Sequence, residues 1–391
     1  MEYDVLVIGA GAAGLMTAIV AGRRGRRVLV LDHANKAGKK ILMSGGGRCN
    51  FTNTNTTPAN FLSANPHFCK SALARYTPWD FIAMVDRHRI AWHEKSPGQL
   101  FCDESSKLIV RMLLAEGADA GARVETGVAV HRLRAVDGGF AVETALGAVR
   151  AASVVVATGG LSIPSLGATG FGYEIARQFG HTVLPVRAGL VPLTLSGKHQ
   201  ARFEGLSGLS LPVEARAGGA SFRDAMLVTH RGLSGPAILQ VSSYWEPGVD
   251  LHLDLLPGLD AAAALRQGRA ERPAAELKTV LAGLLPRRLA ERLCEVWLPN
   301  RPMRQFRDAE LSDMGARLAD WPVTASGTEG YRTAEVTLGG VDTDEVSSST
   351  LMSRRQPGLF FVGEVLDVTG HLGGYNFQWA WASGNAAGQA V

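Results

Sequence analysis

Residues 3–32, YDVLVIGAGAAGLMTAIVAGRRGRRVLVLD, decide the fold of the first part of the chain. Tyr3–Ile8 is an apolar run typical of a fully buried strand, the glycine-rich turn 9–14 follows at once, and Leu15–Arg24 has helical composition. A second apolar run, RVLVL, ends at Asp32. The order predicts a βαβ unit with GxGxxG at its first turn and an acid at the tip of the second strand, a pattern typical of dinucleotide binding.

Each part of this pattern has a physical role in holding a pyrophosphate. Gly9 permits the tight turn, Gly11 lets the ligand approach backbone at the helix N-terminus, and Gly14 lets helix and sheet pack closely. Asp32 can accept hydrogen bonds from the hydroxyls of the adenosine ribose. The combination of two strands, a helix and an acid in register indicates dinucleotide binding more specifically than GxGxxG alone.

The segment after the second strand distinguishes between two dinucleotides. GKKILMSGGGRCN at 38–50 combines three consecutive glycines with lysine and arginine. Such a loop suits a long ligand that lies extended against backbone amides, and NAD dehydrogenases have no need for it. A flexible surface loop would explain the glycines but not the apolar residues before them. The segment therefore favours FAD over NAD.

Two distant segments fit the same ligand. The strand-like run 152–157 leads into Thr158–Gly160, after a predicted hairpin with strands at 124–130 and 140–144. Near the C-terminus, the apolar run LFFV precedes Glu364, an acid well placed to bind ribityl hydroxyls. GHLGGYN then opens an apolar helix, predicted over 377–391, whose N-terminus would stabilise the negative charge of reduced flavin.

Cysteine usage and glycine spacing disfavour several other sites. The 391 residues include 4 cysteines and no CxxC pair, so a redox dithiol, a zinc ribbon, an iron–sulfur cluster and a disulfide reductase are poorly supported. GATGFG at 167–172 has the wrong spacing for a second dinucleotide domain. Either NAD(P)H visits the flavin transiently, or the substrate reduces the flavin and oxygen reoxidises it. No metal is predicted, because no known ligand spacing fits His67, Cys69, His93 and Cys102.

The uncharged stretch Val5–Gly22 resembles a signal peptide or membrane helix only superficially. Asp4 precedes it instead of a basic segment, and glycines interrupt it. We therefore predict a soluble, cytoplasmic protein without a membrane partner.

The chain resembles the BaiN/YhiN-type flavoproteins, a group that includes aminoacetone-oxidase-like proteins. Stretches at 66–82, 98–103 and 327–343 are similar to the YhiN branch in particular. The resemblance covers essentially the whole chain and rests on the motifs GAGAAGL at 9–15, GKKILMSGGGRCNFTN at 38–53, ATGGLSIPSLGATGFGYEIA at 157–176, THRGLSGPAIL at 229–239 and GEVLDVTGHLGGYNFQWAWASG at 363–384.

The resemblance implies an α/β fold: a Rossmann-type FAD-binding domain with an inserted β-rich domain and a small helical subdomain. FAD would be bound non-covalently. The predicted boundaries are 1–187 and 341–391 for the FAD-binding domain, 188–260 and 321–340 for the β-rich substrate domain, and 261–320 for the helical insert.

Activities attributed to the family include reduction of conjugated C=C bonds, oxidation of small amines and, in the YhiN branch, reduction of uridine in large-subunit ribosomal RNA. In both reductions flavin N5 would give hydride to the β-carbon and a general acid would protonate the α-carbon. We predict NAD(P)H-dependent reduction of uridine to dihydrouridine in 23S rRNA. The alternatives are a small-molecule ene-reductase or amine oxidase, and a flavin-binding RNA or assembly factor without turnover.

The helical insert is basic. Residues 261–307 contain ten Lys/Arg and four acids, so they carry +6, while the rest of the chain sums to −2. From charge alone a solvated helical face is the favoured interpretation. The functional alternative is that the insert contacts the phosphates of 23S rRNA.

The proton donor has three candidates. Cys49 comes first, because the GGGRCN loop is expected beside the flavin and Arg48 would favour thiolate chemistry; a small buried packing cysteine is the alternative. Tyr375 and His371 are further candidates, and each could equally be a packed aromatic. The residues predicted to bind FAD are Gly9, Gly11, Ala13, Gly14, Asp32, Lys40, Gly45, Gly46, Arg48, Val128, Thr158, Gly159, Gly363, Glu364, Gly374 and Asn376.

Overall fold

A computed structural model describes residues 2–391, and the chain divides into two compact units. Unit 1 comprises residues 2–187 and 336–391, and unit 2 comprises residues 188–335. Unit 2 therefore interrupts unit 1 in the sequence.

The first part of unit 1 contains most of its strands and helices. Short 3₁₀ helices lie at Pro58–Asn60 and Pro164–Leu166. The strands are β1 (Glu2–Ile8), β2 (Val28–Asp32), β3 (Asn50–Asn53), β4 (Phe61–Leu62), β5 (Trp92–Ser96), β6 (Gln99–Cys102), β7 (Arg123–Thr126), β8 (Val130–Val136), β9 (Gly139–Thr144), β10 (Gly147–Val156) and β11 (Val183–Gly189). The helices are α1 (Ala12–Arg23), α2 (Lys39–Gly47), α3 (Lys70–Arg75), α4 (Pro78–Arg87), α5 (Ser106–Asp119) and α6 (Phe171–Gln178).

Unit 2 follows, and the chain then returns to unit 1. In unit 2 the strands and helices are β12 (Leu193–Thr194), α7 (Gly197–Arg202), β13 (Ser210–Ala217), β14 (Ala220–Val228), β15 (Gly232–Ser234), α8 (Pro236–Ser242), β16 (Asp250–Asp254), α9 (Ala261–Glu271), α10 (Leu277–Leu281), α11 (Arg287–Val296), α12 (Asp308–Ala319), β17 (Trp321–Thr324) and β18 (Gly327–Thr328). The return contributes β19 (Val336–Val341), β20 (Leu359–Phe361), β21 (Thr369–Gly370) and α13 (Tyr375–Ala390).

The main sheet of unit 1 has the order β7-β2-β1-β10-β9-β8, and β20 also pairs with β10. Strands β7, β2, β1, β10 and β20 are parallel to their neighbours in this group, while β8 and β9 form an antiparallel hairpin with β10. Strand β20, the apolar run of β2 and the ends of β1 and β10 are buried because both sheet faces are covered there, whereas the edge strand β7 is polar and has no fully buried residue. The carboxyl ends of the parallel strands meet at one edge, the place where α/β proteins bind ligands.

Three smaller sheets complete unit 1. They are the three-stranded sheet β3-β6-β5 and the pairs β4-β21 and β11-β19. Helix α13 packs along α1 and reaches α3 and β3, so the last element in the sequence lies against the first βαβ unit.

Unit 2 combines a sheet and helices around one core. Its seven strands have the order β17-β16-β13-β14-β15-β12-β18, and all pairs are antiparallel. Leu265 of α9, Leu281 of α10 and Leu293 of α11 are buried in the same apolar cluster as Trp321 of β17. The helices of the predicted insert therefore share their core with the strands that precede and follow them.

The structure corrects three local predictions. The segment 38–50, predicted as a loop, begins as helix α2, because Ile41 is buried in the core; the helix breaks at Ser44–Gly46. The strand predicted over 124–130 is divided into β7 and β8. The C-terminal helix begins at Tyr375, two residues before the prediction. Within residues 2–391, every helix is too short or too polar to span a bilayer.

Candidate functional site

The turn between β1 and α1 has the geometry of a pyrophosphate cradle. A β-carbon at Gly9 would collide with the carbonyl oxygen of Ala157, and one at Gly14 would collide with the carbonyl oxygen of Gly9. A β-carbon at Gly11 would meet no atom within 4 Å. Gly11 is the N-cap of α1 and no side chain caps this helix. The first amides of α1 therefore have no side-chain cap, and the uncrowded turn lets an anion approach them.

Asp32 is held at the tip of β2 by two backbone amides. Its carboxylate oxygens accept hydrogen bonds from the amides of Ala10 and Ala34, each at 2.8 Å. The amide of Val128 donates to the Asp32 carbonyl oxygen at 2.9 Å, which brings Val128 to the same edge of the sheet. A carboxylate has about four acceptor sites, so Asp32 keeps capacity for ribose hydroxyls.

Lys40 and Glu364 form an ion pair, although 324 positions separate them in the sequence. The Lys40 Nζ donates to Glu364 Oε2 at 2.7 Å and to the Ser162 hydroxyl at 2.6 Å. Ser162 donates to Glu364 Oε1 at 3.1 Å, and the Thr337 amide donates to the same oxygen at 2.8 Å. The Lys40 and Glu364 side chains remain 33% and 19% exposed, so a ligand can still reach them.

Three predicted residues lie around this ion pair. Gly159 follows the end of β10, and a β-carbon there would lie 3.8 Å from Glu364 Oε2. A β-carbon at Gly363 would lie 3.0 Å from the β-carbon of Ala13 in α1. Thr158 is half-buried beside Gly159. Ser162 and Thr337 lie in the family stretches 157–176 and 327–343, but they were not predicted as site residues because a hydroxyl residue has no ligand-specific spacing.

The glycines at the end of α2 form an exposed turn. Gly45 and Gly46 have φ of +58° and +65°, in the left-handed region that favours glycine. A β-carbon at Gly46 would meet nothing within 4 Å, whereas one at Gly45 would lie 2.9 Å from the Phe101 ring. The Arg48 side chain is exposed next to this turn. The arrangement leaves open backbone for an extended ligand.

A second glycine turn precedes α13. A β-carbon at Gly374 would collide with the carbonyl oxygen of Thr52 and would lie 2.9 Å from the side-chain amide of Asn50. The Asn376 amide accepts from the Gly370 amide and donates to the Gly370 carbonyl, both at 2.8 Å. Asn376 therefore shapes the turn with its own side chain, and its contact with a cofactor stays a prediction.

The two glycine turns meet on one face of the sheet β3-β6-β5. Asn50 lies opposite Phe101, and Phe101 lies opposite His93. Residues directly opposite one another in antiparallel strands have side chains on the same face. Because Gly45 contacts Phe101 and Gly374 contacts Asn50, both turns lie over this face.

The structure does not support an activated Cys49. The side chain is fully buried, and this burial raises the pKa of the thiol, an effect that its hydrogen bond with Ser44 only reduces. The neighbouring Arg48 points to solvent and does not lower the pKa of the Cys49 thiol. The expectation that Arg48 favours a thiolate is therefore wrong for this fold, and Cys49 has the environment of a small packing residue.

His371 and Tyr375 lie together at the start of α13. Their rings are 6.2 Å apart and nearly perpendicular, and Tyr375 also packs edge-on against Phe61. Burial lowers the pKa of His371 and raises the pKa of Tyr375. At neutral pH these shifts favour a neutral imidazole and a protonated phenol, so both rings suit packing or hydrogen bonding to a ligand.

Known proteins are similar to this chain over nearly its whole length. The family model described as "HI0933-like protein Rossmann domain" matches residues 3–390. A ribosomal RNA dihydrouridine synthase of Escherichia coli K12 is 51% identical over 99% of this chain and 98% of its own, and one of Haemophilus influenzae is 48% identical over the same shares. A 3-dehydro-bile acid delta(4,6)-reductase of Clostridium scindens is 32% identical over 98% of both chains.

Proposed function

The chain belongs to the HI0933-like Rossmann family, and from that premise we propose that this FAD-dependent oxidoreductase reduces uridine to dihydrouridine in 23S rRNA, with NAD(P)H as the reductant. The observation that carries the proposal is the 51% identity with a ribosomal RNA dihydrouridine synthase over nearly the full length of both chains. The reductase at 32% identity is consistent with the same reaction type, because both names describe the addition of two hydrogens across a C=C bond.

The residues of unit 1 fit FAD. The open amides at Gly11 suit the pyrophosphate, and the carboxylate of Asp32 suits the adenosine ribose. Glu364, held by Lys40, suits the ribityl hydroxyls. The exposed turn around Gly46 offers backbone amides to the ring end of the ligand. When bound, FAD supplies the hydride that the reduction of a conjugated C=C bond needs.

The protein itself must orient the substrate and provide a proton. Uracil C5=C6 is conjugated to a carbonyl, so hydride addition at C6 leaves negative charge on C5 and the carbonyl oxygen. A general acid must then protonate C5. A base in a folded RNA reaches such a site only after it leaves its stack.

The arginines of unit 2 support an RNA substrate in part. Most Lys/Arg of residues 261–307 are paired with acids, as in the pairs Arg287–Glu291 and Lys278–Glu276. Among the described residues, four arginines of this segment are in no ion pair: Arg266, Arg272, Arg288 and Arg304. Arg266 and Arg288 donate instead to neutral oxygens, those of the Ser312 hydroxyl and the Gly205 carbonyl, so no acid of the protein neutralises their charge.

An anaerobic experiment tests the proposal. The FAD-loaded protein is reduced with NADPH and mixed with 23S rRNA that lacks dihydrouridine, while the flavin absorbance is followed. We expect the flavin to be reoxidised and dihydrouridine to appear in the RNA in equal amount. A flavin that stays reduced with this RNA would overturn the rRNA substrate.

The same experiment addresses the second candidate, a small-molecule ene-reductase, which the identity with the bile-acid reductase favours. Reoxidation of the NADPH-reduced flavin by a cyclic enone, but not by RNA, would support it. Failure of both NADPH and NADH to reduce the flavin would favour the amine-oxidase alternative instead.

A further inference from the structure

His93 lies in the row of side chains that ends beneath the glycine turns. It is opposite Phe101 in the register of β5 and β6, and Phe101 is opposite Asn50 of β3. The Gly45 turn contacts Phe101 and the Gly374 turn contacts Asn50. His93 is therefore a titratable side chain on the sheet face over which both turns of the proposed flavin site lie.

Asp103 and Phe101 orient the His93 ring. His93 Nδ1 lies 2.7 Å from Asp103 Oδ1, and the ring stacks on Phe101 at 6.2 Å between centroids and 18° between planes. The Asp103 amide donates to the Ala91 carbonyl at 3.0 Å, which holds the carboxylate beside β5. With Nδ1 donating to Asp103, Nε2 is directed away from the carboxylate and has no protein partner among residues 2–391.

The pair has the accessibility that proton transfer requires. The side chains of His93 and Asp103 are 41% and 44% exposed. A pair that is this exposed contributes little to stability. If its role were only structural, replacing His93 would therefore change the stability of the protein little. Water can reprotonate the ring after each turnover. Lys95 lies on β5, the strand of His93, and its Nζ is 5.4 Å from the centre of the Phe101 ring.

The other candidate donors are less suited to this role. Cys49 is fully buried. Burial lowers the pKa of His371 and so disfavours the imidazolium form that would donate a proton. Burial also raises the pKa of Tyr375, which makes its phenol a weaker acid.

We propose that the His93 imidazolium donates the proton from Nε2 to the substrate carbon next to the carbonyl, and that Asp103 is its positioning residue. The inference rests on the proposed C=C reduction. A hydride with two electrons forms the C–H bond at the β-carbon, and the π pair of the C=C bond moves to the α-carbon. The Nε2–H bond breaks as the α-carbon–H bond forms. The substrate gains two electrons, the reduced cofactor loses two, and the neutral imidazole takes a proton from water.

The test separates the two half-reactions in the FAD-loaded protein. His93→Gln is reduced anaerobically with NADPH and then mixed with unmodified 23S rRNA or with a cyclic enone. We expect reoxidation to slow by about 10²-fold or more, as for loss of a general acid, while the rate of reduction by NADPH and the FAD content stay at wild-type values. His131→Gln, an exposed histidine on β8, is the matched control and should behave as wild type.

Two further readouts distinguish proton donation from a packing effect. Exogenous imidazole should restore reoxidation in His93→Gly but not in Tyr375→Phe. Asp103→Asn should slow reoxidation in the wild-type background and add nothing in His93→Gln, because the two residues act as one unit. Asp103→Glu should recover part of the rate.

The outcomes separate this inference from the proposed function. Reoxidation of His93→Gln at the wild-type rate, when wild type reduces either acceptor, overturns the inference and leaves the proposed function intact. A loss of FAD binding or of NADPH reduction in His93→Gln also overturns it. If wild type reduces neither acceptor, the proposed reduction fails and the inference falls with it.

Discussion

At the scale of single residues, the ion pair of Lys40 and Glu364 is the feature that connects distant motifs in the cofactor site. Lys40 comes from α2 and Glu364 from the segment after β20, and Ser162 bridges them. The pair is only partly exposed, so removal of the cation leaves a carboxylate that is poorly compensated. The position of Glu364, and therefore its proposed contact with the ribityl chain, depends on Lys40.

We predict that Lys40→Met weakens FAD binding about tenfold or more, equivalent to about 1.4 kcal/mol. The reason is that Glu364 loses its strongest hydrogen-bond donor. Titration of the apoprotein with FAD, followed by flavin fluorescence, measures the effect. Lys39→Met removes the adjacent lysine, which is not part of the hydrogen-bonded group, and serves as the matched control. Equal affinities of the two variants would contradict the prediction.

At the scale of elements, the contact of α1 with α13 positions the pyrophosphate turn. A β-carbon at Gly384 would lie 2.5 Å from the Ala13 carbonyl oxygen and 3.0 Å from the Met16 β-carbon, and one at Gly388 would lie 2.6 Å from the Val20 β-carbon. Two glycines one helical turn apart thus let the backbones approach closely. Because α1 begins at the pyrophosphate turn, displacement of α1 would also move the amides of that turn.

We predict that Gly384→Ala destabilises the protein by about 1–3 kcal/mol, the usual cost of overpacking, despite the better helix propensity of alanine. Urea unfolding measures the change. Gly117→Ala in α5 is the control, since a β-carbon there meets nothing within 4 Å; it should stabilise by about 0.5–1 kcal/mol. Equal stabilities of Gly384→Ala and Gly117→Ala would contradict the close contact of α13 with α1 at Gly384.

At the scale of the whole molecule, residues 261–307 have less positive charge available for RNA than their sum of +6 indicates. Asp308 and Glu310, which lie just outside this range, pair with Arg269 and Arg301 and so reduce the charge below that sum, in which the acids inside the range are already counted. The four arginines without an acidic partner are therefore the residues on which RNA affinity should depend.

We predict that replacement of Arg266, Arg272, Arg288 and Arg304 by glutamine makes the slope of log K against log salt for RNA binding less negative by about 3. Each phosphate contact on a single strand contributes about −0.7 to the slope. Filter binding or fluorescence anisotropy over a range of salt concentrations measures the slope. Lys278→Gln combined with Arg287→Gln, both already paired with glutamates, should change it much less. An unchanged slope in the fourfold variant would exclude this segment as the RNA contact.

Local patterns predicted the α/β Rossmann fold and the family correctly. The glycines of the first turn and Asp32 lie within 24 residues of one another, and a βαβ unit is specified by its own periodicity and turn residues. The domain boundaries and the FAD ligands stay predictions. The basic character of 261–307 was also visible, but the ion pairs that reduce it depend on side-chain positions that composition does not contain.

Local sequence therefore determined the dinucleotide-binding unit, because backbone conformation there follows from residues close in the chain. Tertiary structure alone decided that Lys40 pairs with Glu364, that Cys49 is buried rather than activated, and that His93 shares a sheet face with the glycine turns. These features depend on strand register and burial between segments up to 324 residues apart. Such contacts result from the packing of the whole unit, so no window of the sequence contains them.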